Sequence, residues 1–140
     1  MGAAENRALI QRFYDEGWNA NNLDVYDELV TEDFVDHQAI PGMAPGREGF
    51  KGLNAMFRSA FPDVRVDVDQ IVADDDTVAC RWTSTGTHQG DLFGIPPTGK
   101  QVKVTATVWY RVEGGRLAEG WINRDDVGLM RQLGVIPSPG

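Results

Sequence analysis

GGRLAEGWINRDDVGLMRQLG, residues 114–134, encodes a turn, a strand and a helix in immediate succession. Gly114 and Gly115 supply the turn, and the stretch after Asp126 has the short apolar spacing of a helix that Gly134 and Pro137 stop. From Leu117 the side chains alternate, so Leu117, Glu119, Trp121, Asn123 and Asp125 share one face, and Ala118, Gly120, Ile122 and Arg124 the other. On that count Asp125 follows an indole and a carboxamide along one inward row. A carboxylate placed there loses hydration, which raises its pKa toward the range where it can take and return protons near neutrality. Asp126 is assigned to the N-cap of the helix, a position that favours Asp. Asp125 is thereby the candidate acid/base.

The preceding strands make the partners of this one. Val102, Val104, Ala106, Val108 and Tyr110 form one face, Val78, Cys80, Trp82, Ser84, Gly86 and His88 another, and Val64, Val66 and Val68 a third. Ahead of them lie three helical patterns, 5–18, 23–30 and 47–60, the first carrying Leu9, Ile10, Phe13, Tyr14 and Trp18 on a broad aromatic face and the third bounded by Pro62. TEDFVDHQAI, 31–40, reads as a short extended segment. Helices first and strands afterwards predict an α+β fold in one domain, 1–140, with N-terminal helices packed across a strongly curved antiparallel sheet of four long strands and a short one. Such a sheet makes a cup.

Composition restricts the partners. The 140 residues are 41% hydrophobic and 24% charged, as in an ordinary globular domain, and the net charge is -8. An acidic chain whose 13 basic residues are dispersed lacks the clustered Lys and Arg that nucleic acid or an anionic membrane requires. The amino-terminal stretch is charged throughout and holds no apolar run, which argues against a secretory signal or membrane span and makes the cytoplasm the expected location. A single cysteine, Cys80, excludes an intrachain disulfide and a multi-cysteine zinc site. GIPPTGK, 94–100, lacks the glycine spacing and following helix of a phosphate loop.

DFVDH (33–37), PGREGFK (45–51), FPDVRV (61–66), TGTHQGDLFGIPPTGKQV (85–102) and GRLAEGWINRDDVGLMRQLG (115–134) together resemble, in this order, the SnoaL-like polyketide cyclases of the nuclear-transport-factor-2-like superfamily. The family's Trp, its Asp four residues later and its GLL-QLG ending fall on Trp121, Asp125 and residues 128–134. Its GTH-G fragment falls on Gly86, Thr87, His88 and Gly90, and its DH fragment on Asp36 and His37. The resemblance implies a cone-shaped α+β barrel and a cofactor-free intramolecular aldol closure of a polyketide intermediate, with Asp125 as base and later acid. His88 is the second catalytic candidate, set against the plainer role of a hydrogen bond that supports the following loop.

Helix and strand spacing direct Tyr14, Trp18, Met56, Trp82, Trp121 and Asn123 toward one pocket with Asp125 and His88, and His37 toward its mouth. His37, His88 and Asp125 lack the spacing of a metal site, so neither a metal nor another cofactor is expected. The expected partners are a hydrophobic, polyketide-like small molecule and further copies of the chain. A homodimer or homotetramer is expected because Thr105, Thr107 and Trp109 project from the outer face of their strand. Two other functions fit the same cup. One is another cofactor-free enzyme: a hydroxylation component, isomerase, cycloaddition catalyst or epoxide hydrolase. The other is a non-catalytic binding or dimerisation module.

Overall fold

A computed structural model describes residues 2–137. In chain order the elements are α1 (Ala3–Arg12), a π-helical continuation (Phe13–Asn19), a 3₁₀ turn (Leu23–Val25), α2 (Tyr26–Leu29), β1 (Val30–Asp36) and α3 (Gly46–Ala60), followed by β2 (Arg65–Ala73), β3 (Thr77–Thr87), β4 (Gln101–Glu113), β5 (Arg116–Arg124) and α4 (Asp126–Leu133). The predicted α+β cone is the fold the chain adopts. Its five strands are ordered β1-β5-β4-β3-β2, with β1 parallel to β5 and every other pair antiparallel, so the sheet is mixed. It curls without closing. The bend is built from register shifts in β2 at 68–70, between β4 and β5 at 111–112, and in β1 at 30–35. Each adds unpaired backbone on one strand and increases the local twist.

The strict alternation of β4 buries Val102, Val104, Ala106, Val108, Tyr110 and Val112 and exposes every residue between them. That inward row meets the helices. Phe13 lies at the centre of an aromatic cluster, with ring centroids 4.9 Å from Tyr14, 5.2 Å from Tyr26, 5.4 Å from Phe50 and 5.8 Å from Tyr110. A second cluster gathers Phe57, Phe61, Leu92, Val102, Leu129 and Leu133 around the other end of α3. Among the described residues no helix is long and apolar enough to cross a membrane.

The first helix does not remain α-helical to its end. Over 13–19 the hydrogen bonds widen, with the Ala20 N–H donating to Asp15 O, and Tyr14 and Trp18, four apart, stay on one face of this wider turn. The Asn19 side chain then mimics a strand partner. Its Nδ2 donates to Val66 O at 2.8 Å and its Oδ1 accepts from the Val66 N–H at 2.7 Å, which fixes the end of the π turn to the start of β2. Arg58 Nη2 donates to Trp18 O on the other side. Gly17 permits this geometry because a Cβ there would land on the buried Tyr26 ring and hydroxyl. Gly17→Ala is therefore expected to cost about 1–3 kcal/mol by overpacking, read as a lower urea midpoint with an unchanged slope.

Candidate functional site

The helices and the curled sheet enclose a cavity of about 110 Å³. Its wall comes from the π turn (Tyr14, Trp18), β1 (Phe34, Asp36), α3 (Phe50, Leu53, Phe57) and the inward faces of β2 to β5. The partly exposed members Trp18, Gln38, Ile40, Leu53, Ile122 and Arg124 mark its mouth. The wall is mostly apolar. Asp36 and Arg124 are the charged residues in it, accompanied by the Tyr14, Tyr110, Trp82, Ser84, Thr85 and Gln38 polar groups.

Asp36 reaches the cavity by simple alternation from the buried Phe34. It pairs in register with Gly120 of β5, whose missing side chain leaves space for the Tyr110 and Phe34 rings. A Cβ at Gly120 would lie 3.0 Å from the Tyr110 ring and 3.1 Å from Phe34 Cζ. The Asp36 carboxylate accepts from the Gln38 N–H at 2.9 Å, and Gln38 Oε1 in turn accepts from the Ile122 N–H at 2.6 Å. Arg124 projects inward four residues beyond Gly120, its guanidinium 5.0 Å over the Phe57 ring and its Nε donating to Asp126 at 2.7 Å.

The expected inward row of β5 is corrected by a bulge. Val112 pairs with Leu117 but Arg111 pairs with Glu119, so Ala118 is an extra residue and the alternation changes face there. Leu117 is inward as expected. Beyond the bulge, Gly120, Ile122 and Arg124 face the cavity opposite Tyr110, Val108 and Ala106, while Asn123 is exposed opposite Thr107. Asp125 is also exposed and is not part of the cavity wall. Its carboxylate is the N-cap of α4, accepting from the Gly128 N–H at 2.9 Å, the position assigned in sequence to Asp126. Asp126 pairs with Arg124 instead.

The other nominated residues divide. Tyr14, Trp18, Trp82 and Trp121 line the cavity; Met56 is half-buried against the second core cluster and does not. Trp121 is the outward-parity member of that wall, and its indole stacks on the His37 ring at 4.6 Å and 4°. His37 is exposed, with Nε2 2.6 Å from Glu119 Oε2, while Arg111 Nε donates to Glu119 Oε1 at 2.8 Å. Arg111 first, then His37, hold the Glu119 carboxyl below the ordinary range.

His88 continues the inward row of β3 past the cavity to a fully buried position. Its backbone bonds Lys100 and Gly99, and its Nδ1 accepts the Thr98 N–H at 3.2 Å, so the ring supports the loop 88–100. That contact places the proton of a neutral imidazole on Nε2, which is buried and has no hydrogen-bond partner among the described residues. His37, His88 and Asp125 are not gathered, and among the described residues no three His, Cys, Asp or Glu converge as a metal site. Sequence reasoning missed Asp36 and Arg124. The signals were Phe34 two residues before Asp36, and a glycine inside β5, which often marks a bulge.

A curled mixed sheet with helices closing its concave side over an apolar pocket defines a cone-fold protein of the nuclear-transport-factor-2-like kind. The chain belongs to the SnoaL-like polyketide cyclase family, whose profile matches residues 8–133. It is similar to IdmH, a proposed polyketide cyclase from Streptomyces antibioticus, at 34% identity, with a TM-score of 0.79 and coverage of 91% of this chain and 97% of that one. TsrD from Streptomyces laurentii matches at 26% identity, TM-score 0.87, covering 95% and 97% of the two chains. AclR from Streptomyces galilaeus, a proposed hydroxylase, matches at 29% identity, TM-score 0.85, covering 99% and 86%. No curated protein matches the chain significantly.

Proposed function

We propose that the protein closes a ring in a polyketide-like substrate by a cofactor-free intramolecular aldol reaction, with Asp36 rather than Asp125 as the base. The observation that carries this reading is that Asp36 is the carboxylate in the wall of an apolar cavity. A carbon between two carbonyls is acidic enough for a carboxylate to deprotonate when water is excluded. The proton passes to Asp36, the enolate carbon bonds to an internal carbonyl carbon, and the resulting alkoxide recovers a proton from the Asp36 carboxylic acid. Arg124 and the free amide hydrogens of Gln38 supply positive charge and donors for the developing oxyanion. Tyr14, Trp18 and Trp82 hold the chain folded, an entropic contribution of up to about 7–11 kcal/mol in ideal cases.

The cavity is smaller than the roughly 150 Å³ void that admits one benzene. A substrate of several rings therefore places one ring inside and moves Trp18, Ile40 and Leu53 aside at the mouth. The test is incubation of purified protein with a β-diketone-bearing aromatic polyketide. The expected product has unchanged mass, or has lost water, and a new carbon-carbon bond. A second reading, a hydroxylation component, is favoured by the likeness to AclR. A product that has gained one oxygen atom would replace the first reading with the second.

The outer sheet face pairs with a second copy. Trp109 is 53% exposed there, beside Thr107 and directly across from Trp121. A large exposed indole with Ala79 and Trp121 as its cross-strand neighbours suits a two-fold contact. Light scattering at micromolar protein is expected to give a dimer or tetramer mass, and Trp109→Glu to reduce it to the monomer. A monomeric mass for the unaltered chain would remove the pairing.

A further inference from the structure

The inner wall of the cavity carries three linked polar side chains that the proposed proton transfers leave unused. Trp82 Nε1 donates to Tyr14 Oη at 3.1 Å, and Tyr14 Oη lies 2.9 Å from Tyr110 Oη. All three are buried, and all three line the cavity. Counting hydrogens limits what they can do. The indole is a donor only, and each phenol has one hydrogen to give. The trio therefore has three donor hydrogens and makes two internal hydrogen bonds, which leaves one phenolic hydrogen over.

When Tyr14 donates to Tyr110, the remaining hydrogen belongs to Tyr110 and the bonds run in one direction from Trp82 outward. Each donor then polarises the next. In the opposite orientation the hydrogen belongs to Tyr14, with the Cys80 thiol beside it. Sulfur is a weak acceptor, and burial pushes the Cys80 pKa up to about 11, so the thiol remains neutral. A ligand oxygen is the better acceptor and selects the outward orientation. Burial, chiefly, raises both phenol pKa values well above the ordinary one, so both groups remain donors at neutral pH.

We propose that the Trp82-Tyr14-Tyr110 chain anchors a carbonyl or enolate oxygen of a ring-bearing ketone at the inner wall of the cavity. The anchor rests on the cavity being the ligand site proposed above. Asp36 and Tyr110 pair with Gly120 from its two sides and both line the cavity, so a carbonyl held by the Tyr110 hydroxyl shares that cavity with the carboxylate that removes the neighbouring proton. Negative charge that forms on the oxygen as the proton leaves is met by the Tyr110 donor. Gly120 preserves the required clearance beside the Tyr110 ring.

Acetophenone and isopropylbenzene, nearly equal in shape and differing by the carbonyl oxygen, separate the anchor from the cavity. Their affinities are measured by perturbation of the Trp82 indole N–H resonance, in the unaltered protein and in Tyr110→Phe and Tyr14→Phe. The expected result is that the affinity ratio of acetophenone to isopropylbenzene falls about tenfold in Tyr110→Phe, the size of a good neutral hydrogen bond. Isopropylbenzene binding stays within about threefold, which also reports that the variant is folded. The carbonyl stretch of bound acetophenone is expected at lower wavenumber in the unaltered protein than in Tyr110→Phe. An unchanged ratio in both variants overturns the anchor and leaves the cavity as a ligand site. Failure of both molecules to bind the unaltered protein overturns the cavity reading and the anchor with it.

Discussion

Asp36→Asn is expected to lower ring-closing turnover by about a hundredfold to ten-thousandfold, the usual worth of a positioned general base. The substitution is nearly silent in structure. An Asn at 36 keeps an oxygen to accept the Gln38 N–H and loses only the ability to hold a proton. Asp125→Asn is the matched control, because Asn caps a helix about as well as Asp and retains the bond from Gly128. Turnover in Asp125→Asn is expected to stay within a few-fold of the unaltered protein. Asp125→Ala is expected to cost about 0.5–2 kcal/mol of stability through the lost cap. Steady-state kinetics on the three variants decide the matter. Full turnover in Asp36→Asn together with collapse in Asp125→Asn would return the base to Asp125 and require α4 to unwind its first turn during the reaction.

Phe13→Ala is expected to have the largest effect on stability, about 3–5 kcal/mol, because it removes a fully buried ring from the centre of four aromatic contacts. That is a large share of the 5–15 kcal/mol that holds an ordinary domain together. At about 4 °C per kcal/mol for a chain of this length, a drop in Tm of roughly 12–20 °C follows. The consequence extends to the site. Tyr14 and Tyr110 both pack against this ring, so their 2.9 Å hydrogen bond loses its support when the ring is gone. Chemical denaturation measures the loss directly, and a loss below about 1 kcal/mol would mean that the surrounding rings collapse into the space.

Several elements were legible because their signal is local. The β4 alternation from Val102 to Tyr110 reads correctly since both the pleat and the burial repeat every two residues without interruption. The inward row of β3 from Val78 to His88 follows for the same reason, and Tyr14 and Trp18 reach the cavity from a helix whose aromatic face is evident. His88 shows the limit of such a row. Alternation places it inward, but the row outlasts the cavity, and the loop 88–100 takes the side chain as its support.

Sequence by itself determined the α+β order, the apolar faces that meet to make a cup, and the aromatic residues on them. Tertiary structure alone decided which carboxylate enters the cup. Face is counted along a strand, and one extra residue inverts it. The bulge at Ala118 exists because β5 must follow a curled β4 on one edge and accept β1 in parallel on the other, and those pairings are not encoded in the spacing of β5 itself. The same bulge turns Gly120, Ile122 and Arg124 inward and leaves Asp125 at the end of the strand, where the unpaired N–H groups of α4 take its carboxylate. Asp36 gains its place from β1, a strand seven residues long whose position at the sheet edge is fixed only by pairing with a segment about eighty residues away.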